Sequence, residues 1–326
     1  KYKEEQKDRA FRIVDLCEVI SIKLNFKINS FKSELIYSNF DLTTDIVKEY
    51  PTLQGLAGGF YSKIFKFNES VSEAFSNQYK SIFTKVNTLS IILSVAQKVD
   101  SIFGFFSSQK KISGSGDPFG IRRLVLSLIR LMIENDINLD FFEILEQLQK
   151  IYQKQKLKGS CNIQNIKDYF NIRMKNFLLE KRFDNSVINL ILNNNNFDPK
   201  LTYDSVNSLT NFLMSNEGVL FLKAFKRLDS IIEESKEKKI VNENLLNEIH
   251  EKRLFKIILD IENKTDFNIL KIDKVFFKKI ADTINSFLDK IIVNVEDKEV
   301  RTNRKILLQE CKRLLNSMIK FSSLGS

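Results

Sequence analysis

Glycine and proline are scarce in this chain, with 10 and 3 among its 326 residues, against average usage of about 7% and about 5%. Seven of the ten glycines fall between Gly55 and Gly120. Long stretches therefore lack the residues that make tight turns, and the same stretches repeat apolar residues at spacings of three and four. An all-α protein is expected. Histidine is reduced to His250 alone, which excludes a histidine-rich metal site and argues for a solvated surface side chain. The cysteines, Cys17, Cys161 and Cys311, are far apart and odd in number. That argues against a disulfide framework or metal cluster and for reduced, buried thiols in a cytosol. No apolar run approaches the ~18–20 residues of a membrane span. The mean hydropathy of −0.19 is that expected of a soluble cytoplasmic protein with no membrane partner. The chain opens on Lys1 rather than Met, without a charged-then-apolar leader, and is read as a piece of a longer protein.

What is present is length, helix-forming sequence and positive charge. A chain of 326 residues is expected to form two domains with a sizeable core. Lysine and arginine number 51 against 41 acidic residues, a net charge of +10. Such a balance favours a polyanionic partner, because each phosphate neutralised releases a condensed counterion. Lysine, asparagine and isoleucine are abundant throughout, however, so codon composition explains the charge equally well.

Helices are expected over 8–25, with Phe11, Val14, Cys17, Ile20 and Leu24 on one face, and over 30–49, stopping before Pro51. Residues 53–59 are a small-residue segment. Residues 69–83 and 87–106 read as helices, the second almost wholly apolar and so buried. Residues 107–116 form a loop, followed by a helix start with Asp117 as N-cap and Pro118 at the first position. In that helix Leu124, Leu128 and Leu131 face inward, and Arg123, Ser127, Arg130 and Glu134 make a polar stripe. Helices over 140–156 and 163–182 flank a domain boundary at Lys158-Gly159-Ser160. A second break falls at Asn193–Asn196 and Asp198-Pro199, and four or five further helices fill 203–320.

Three segments resemble bacterial glycyl-tRNA synthetase β subunits. Asp41-Leu42-Thr43-Thr44-Asp45-Ile46-Val47-Lys48-Glu49-Tyr50-Pro51-Thr52-Leu53-Gln54-Gly55 is similar to their D-L-x-T-x-M-V-x-E-F-x-x-x-Q-G. Gly114-Ser115-Gly116-Asp117-Pro118-Phe119-Gly120-Ile121-Arg122-Arg123 resembles G-S-x-D-P-F-A-L-R-R. Residues 289–304, ending in Val300-Arg301-Thr302-Asn303-Arg304, are similar to D-K-V-M-V-x-V-x-D-x-x-L-R-x-N-R. The resemblance implies a two-subunit enzyme, of α2β2 form, whose ATP- and magnesium-dependent chemistry lies in a separate α subunit. The β subunit would bind tRNA-Gly and assemble the enzyme, with its larger N-terminal part outside this sequence. Residues 1–157 would form an HD-like domain, 158–199 a helical link, and 200–326 an anticodon-binding, DALR-like helical bundle shared with arginyl-tRNA synthetases.

A working HD hydrolase needs histidines and aspartates around a metal that activates water. Here the dyad position reads Phe40-Asp41, and Gln97 stands where a final aspartate belongs, so no catalytic site and no cofactor are expected in this chain. Asp41, Asp45 and Asp100 are then expected to cap helices or accept hydrogen bonds. The glycines at 114, 116 and 120 match neither phosphate-loop pattern, though Arg122 and Arg123 at the helix start are candidates for an RNA phosphate. From Lys298 to Lys320 seven basic residues face two acidic ones, and Lys298, Arg301, Asn303, Arg304 and Lys305 are candidate tRNA contacts. Thr302, Lys305, Gln309, Lys312, Asn316 and Lys320 form the polar side of this helix. Guanidinium and amide groups suit unstacked bases. The alternative for either arginine is pairing with Glu296 or Asp297 inside the bundle. Lys223, Lys226 and Arg227 alternate with Phe221 and Phe225, a pattern that suits base stacking or a plain core helix.

Overall fold

The structure, a computed structural model, describes residues 2–80, 86–108, 120–157, 161–193, 197–233, 237–264 and 267–324. Among the described residues there are fifteen α-helices, short 3-10 turns and no strand, in accord with an all-α chain. Two compact units are present, residues 1–180 with 195–203, and residues 181–194 with 204–326. The stretch 158–199, expected as a link, divides between them.

The first unit holds α1 (Tyr2–Lys23), α2 (Lys32–Leu35), α3 (Asp45–Glu49), α4 (Leu56–Ile64), α5 (Glu69–Asn77), α6 (Thr88–Ser107), α7 (Ile121–Glu134), α8 (Phe141–Lys154) and α9 (Ile163–Glu180). Helix α6 is its centre, packed against α1, α5, α7, α8 and α9. Asn87 caps it by accepting the Ser90 N–H at 2.7 Å, and Ile92, Leu93, Val95 and Ala96 are fully buried. By length and composition α6 could cross a membrane, which corrects the expectation that no run comes near; 78% of its apolar window is buried inside the protein. A helix apolar on all sides is a core helix when other helices surround it.

Several expectations are corrected here. Residues 30–49 do not make one helix but α2, α3 and 3-10 turns at Asn29–Phe31 and Phe40–Thr43. The cause is polar groups held by distant partners. The Ser38 carbonyl accepts from Gln78 Nε2 at 2.7 Å, and Asp41 Oδ2 accepts the Gly55 N–H at 2.6 Å. Such bonds compete with the helical ladder. Gly55 has φ +82°, and a Cβ there would meet the Phe75 carbonyl oxygen at 3.0 Å. Helix α7 is described from Ile121, with Gly120 at its N-cap in the left-handed region at φ +68°. Asp117, Pro118, most of the expected loop and the Lys158-Gly159-Ser160 boundary lie outside the described residues. Ser127 is buried rather than part of an outer stripe, its hydroxyl donating to the Lys80 carbonyl at 3.2 Å. On α1 the inward face is Ile13, Leu16, Cys17 and Ile20, while Phe11 is exposed.

The second unit holds α10 (Asn185–Leu192), most of α11 (Pro199–Met214), α12 (Asn216–Ile231), α13 (Ile249–Glu262), α14 (Lys274–Lys290) and α15 (Lys298–Met318). Its core is built on phenylalanine. Phe221 lies 4.8 Å from both Phe277 and Phe321, and Phe212 lies 4.9 Å from Phe277. Each such pair adds about 0.5–1.5 kcal/mol beyond its burial. The turn from α11 to α12 is tight enough that Gly218 leaves no room for a Cβ, which would fall 1.9 Å from the Phe212 oxygen. Side-chain caps start the helices: Ser215 for α12, Asp273 for α14 and Asp297 for α15, each contributing about 1 kcal/mol.

Candidate nucleic-acid interface

Helix α15 carries the densest set of candidate tRNA contacts, and the structure divides them. Lys298 and Lys305 are exposed. Arg301 is half-buried and makes a long bond from Nη1 to the Val295 carbonyl at 3.4 Å. Asn303 is buried and engaged at both ends, accepting the Asn242 N–H at 2.8 Å and donating to the Asn242 carbonyl at 2.9 Å. Arg304 donates from Nε to Glu251 at 2.5 Å and from Nη1 to the Ile292 carbonyl at 2.7 Å. Its partner is thus Glu251, not Glu296 or Asp297. Asp297 serves as the cap of its own helix. Glu251 is fully buried, and its other oxygen accepts the Glu248 N–H at 2.8 Å in the capping box of α13. One carboxylate therefore joins the start of α13 to the middle of α15.

Further along α15, Lys312 is buried rather than on the polar side. Its ammonium donates to the Ile232 carbonyl at 2.5 Å and pairs with Asp229 at 2.9 Å, closing the C-terminal end of α12. Arg313 pairs with Glu310 at 2.7 Å. On α12, Lys223 and Lys226 are exposed, and Arg227 bridges Asn285 and Asp289 at 2.6 Å each. Phe221 and Phe225 are buried in the phenylalanine core, so the stacking of bases on them is corrected. His250 is half-buried, its Nδ1 2.8 Å from the Ser286 hydroxyl, rather than solvated.

In the first unit, the region that the resemblance sets at an HD dyad is a network of amides. Gln97 donates to Asn39 Oδ1 at 2.7 Å and to Gln78 Oε1 at 3.0 Å. Tyr79 donates to the same Asn39 oxygen at 2.7 Å. Burial pushes the Asp41 carboxyl above the usual range and pushes the Lys98 ammonium down to about 7. Asp100 binds Arg12 at 2.5 Å and Arg9 at 3.1 Å, and accepts from Tyr152 at 3.2 Å. Amides, a buried cation and a carboxylate already held by two arginines do not fit a divalent metal, which needs anionic or imidazole ligands. Among the described residues no three His, Cys, Asp or Glu side chains converge. The three thiols are buried and unbridged, as expected. Arg122 and Arg123 are exposed on the first turn of α7.

One surface went unnoticed in the sequence. Leu56, Phe60 and Ile64 stand at 50%, 63% and 58% exposure along one stripe of α4, continued by Phe65 at 63%. Their four-residue spacing was visible, but nothing local said that the stripe stays exposed among the described residues.

Comparison with known proteins places the chain first among subunits of aminoacyl-tRNA ligases, and then more closely. The family described as glycyl-tRNA synthetase beta subunit matches residues 5–193. The glycine–tRNA ligase beta subunit of Rickettsia prowazekii (strain Madrid E) is 30% identical over 328 residues, covering 98% of this chain and 47% of its own length. That of Rickettsia typhi (strain ATCC VR-144 / Wilmington) is 30% identical over 331 residues, with the same coverages. The chain belongs to the glycyl-tRNA synthetase beta subunit family, and it spans about half the length of these relatives.

Proposed function

We propose that this chain binds tRNA-Gly through its second unit, in support of glycine attachment by a cytoplasmic α2β2 enzyme. In that reading a separate α subunit supplies the ATP- and magnesium-dependent chemistry, and no metal or cofactor acts within this chain. Membership of the family carries the proposal. The arrangement of charge supports it. With Asn303, Arg304 and Lys312 engaged inside the unit, and the exposed Arg227 held by Asn285 and Asp289, Lys223 and Lys226 on α12 and Lys298 and Lys305 on α15 are also exposed. These are suited to phosphates, while the half-exposed Arg301 is suited to an unstacked base of the anticodon. Arg122 and Arg123 offer a further phosphate contact in the first unit.

A second reading has its own observation. The exposed apolar stripe on α4 is of the kind that marks a protein interface, and it favours a scaffold whose main role is to hold the α subunit. Binding of the purified chain to tRNA-Gly at two salt concentrations, beside an anticodon-swapped tRNA, separates the two. Tighter binding to tRNA-Gly that weakens with salt is the outcome expected. Binding to the α subunit with no salt-sensitive RNA affinity sinks the tRNA reading.

A further inference from the structure

We propose that a cavity in the second unit binds one unstacked nucleobase, of an RNA strand or of a free nucleotide. The cavity has a volume of about 590 Å³, within the ~300–1,000 Å³ of small-molecule sites. Its described lining residues all belong to that unit. The apolar part of the lining is Phe267, Ile269, Leu190 and Met318. Helix α10 contributes Asn185, Asn189 and its C-cap Asn193, four residues apart along one stripe. The other face of α10 is buried through Val187, Ile188 and Ile191. The end of α15 and the residues after it add Asn316 and the exposed Ser317 and Lys320.

The walls are set by contacts within the unit. The Phe267 ring meets the buried Phe277 edge-on, with centroids 6.3 Å apart, and is left half-buried. The Ile269 carbonyl accepts the Ser208 hydroxyl at 2.7 Å, which ties the segment that carries Phe267 to α11. Asn316 donates to the Ser322 hydroxyl at 2.6 Å and accepts the Ser322 N–H at 3.2 Å. That pair fixes the 3-10 turn Phe321–Leu324, which packs on α10. A purely apolar ligand would make no use of the amides, and a bare phosphate none of the ring. A nucleobase uses both, because its face packs on an aromatic ring while its edge carries donors and acceptors, as an amide side chain does. Since Asn316 is committed to Ser322, the exposed Asn185 and Asn193 are the amides assigned to that edge. Lys320 suits the phosphate attached to such a base. The base site rests on the cavity alone; its assignment to RNA rests on the reading that this unit binds tRNA-Gly.

The test is a saturation-transfer NMR titration of the chain with adenosine 5′-monophosphate, beside ribose 5-phosphate, which has no base. Saturable signal on the base protons, with none from the sugar phosphate at the same concentration, is the expected result. Phe267→Leu keeps an apolar side chain but removes the stacking ring, and should weaken binding about fivefold or more. Ser317→Tyr, at an exposed position of the lining, should fill the cavity and abolish binding while the thermal midpoint holds. Titrations with tRNA-Gly then separate the two sources. Competition by the nucleotide, with a parallel loss of tRNA affinity in Phe267→Leu, assigns the base to RNA. Nucleotide binding that neither competes with tRNA-Gly nor depends on its being bound at all assigns the site to the free nucleotide, and leaves the tRNA reading to stand or fall by its own test. No signal on the base protons, or parental affinity in both variants, overturns the proposal.

Discussion

The side-chain amide of Asn303 grips the peptide group of Asn242 at both ends, with its oxygen 2.8 Å from the amide nitrogen and its nitrogen 2.9 Å from the carbonyl. A residue whose amide suits the reading of a base is instead the tie between α15 and the segment before α13. Asn303→Ala leaves the N–H and carbonyl of Asn242 without their part-buried partner, at a cost of about 1–2 kcal/mol. Urea unfolding of the variant should show that loss. An unchanged midpoint would mean that water replaces the amide freely.

Arg304 and Glu251 form the other tie, with side chains 11% and 0% exposed. Removing either alone strands a buried charge, at about 3–5 kcal/mol. The double variant Arg304→Met, Glu251→Gln should be much less unstable than the sum of the two single losses. Strict additivity in that double-mutant cycle would show that the two side chains do not depend on each other.

These two ties mark where sequence reasoning stopped. Helix existence was legible, because apolar spacing and the dearth of Gly and Pro are local properties. The three thiols were legible as buried because their wide spacing and odd number left no framework of bridges. The segment 30–49 was not, since Asp41 and Ser38 answer to Gly55 and Gln78, which lie on other elements. Lys298 and Arg304 look alike on a helical wheel. Only the packing of α13 against α15 separates them, by bringing a buried Glu251 from 53 positions away. Glu251 could not be singled out, as it sits among charged neighbours in a sequence that gives no sign of its burial.

The phenylalanine core makes a further prediction. Phe221 is fully buried and touches the rings of Phe212, Phe225, Phe277 and Phe321. Phe221→Ala should destabilise the second unit by about 3–5 kcal/mol, read by denaturant titration. A change below about 1 kcal/mol would mean that the cluster collapses onto the space without loss.

Lys98 imposes a pH dependence. Its pKa is about 7 in the folded chain against an ordinary 10.5, so between those values the unfolded chain binds the extra proton. Stability should therefore rise from pH 7 towards pH 9. Above about pH 9 the buried thiols of Cys17 and Cys311, whose pKa values are raised by burial, pull the other way, because unfolding lets them ionise. Chemical denaturation at pH 7, 8 and 9 should show a slope that Lys98→Met removes. The same slope in that variant would assign it to other groups.

The most direct test of the account is the salt dependence of tRNA-Gly binding by the double variant Lys298→Glu, Lys305→Glu, measured beside the parent chain. Both side chains are exposed on α15, so the thermal midpoint should stay within a few degrees. The affinity should fall about tenfold or more at low salt, with the slope of log K against log salt reduced by about 2. Equal affinity and an equal slope in a folded variant would contradict the account, and would take the tRNA away from this face of the second unit.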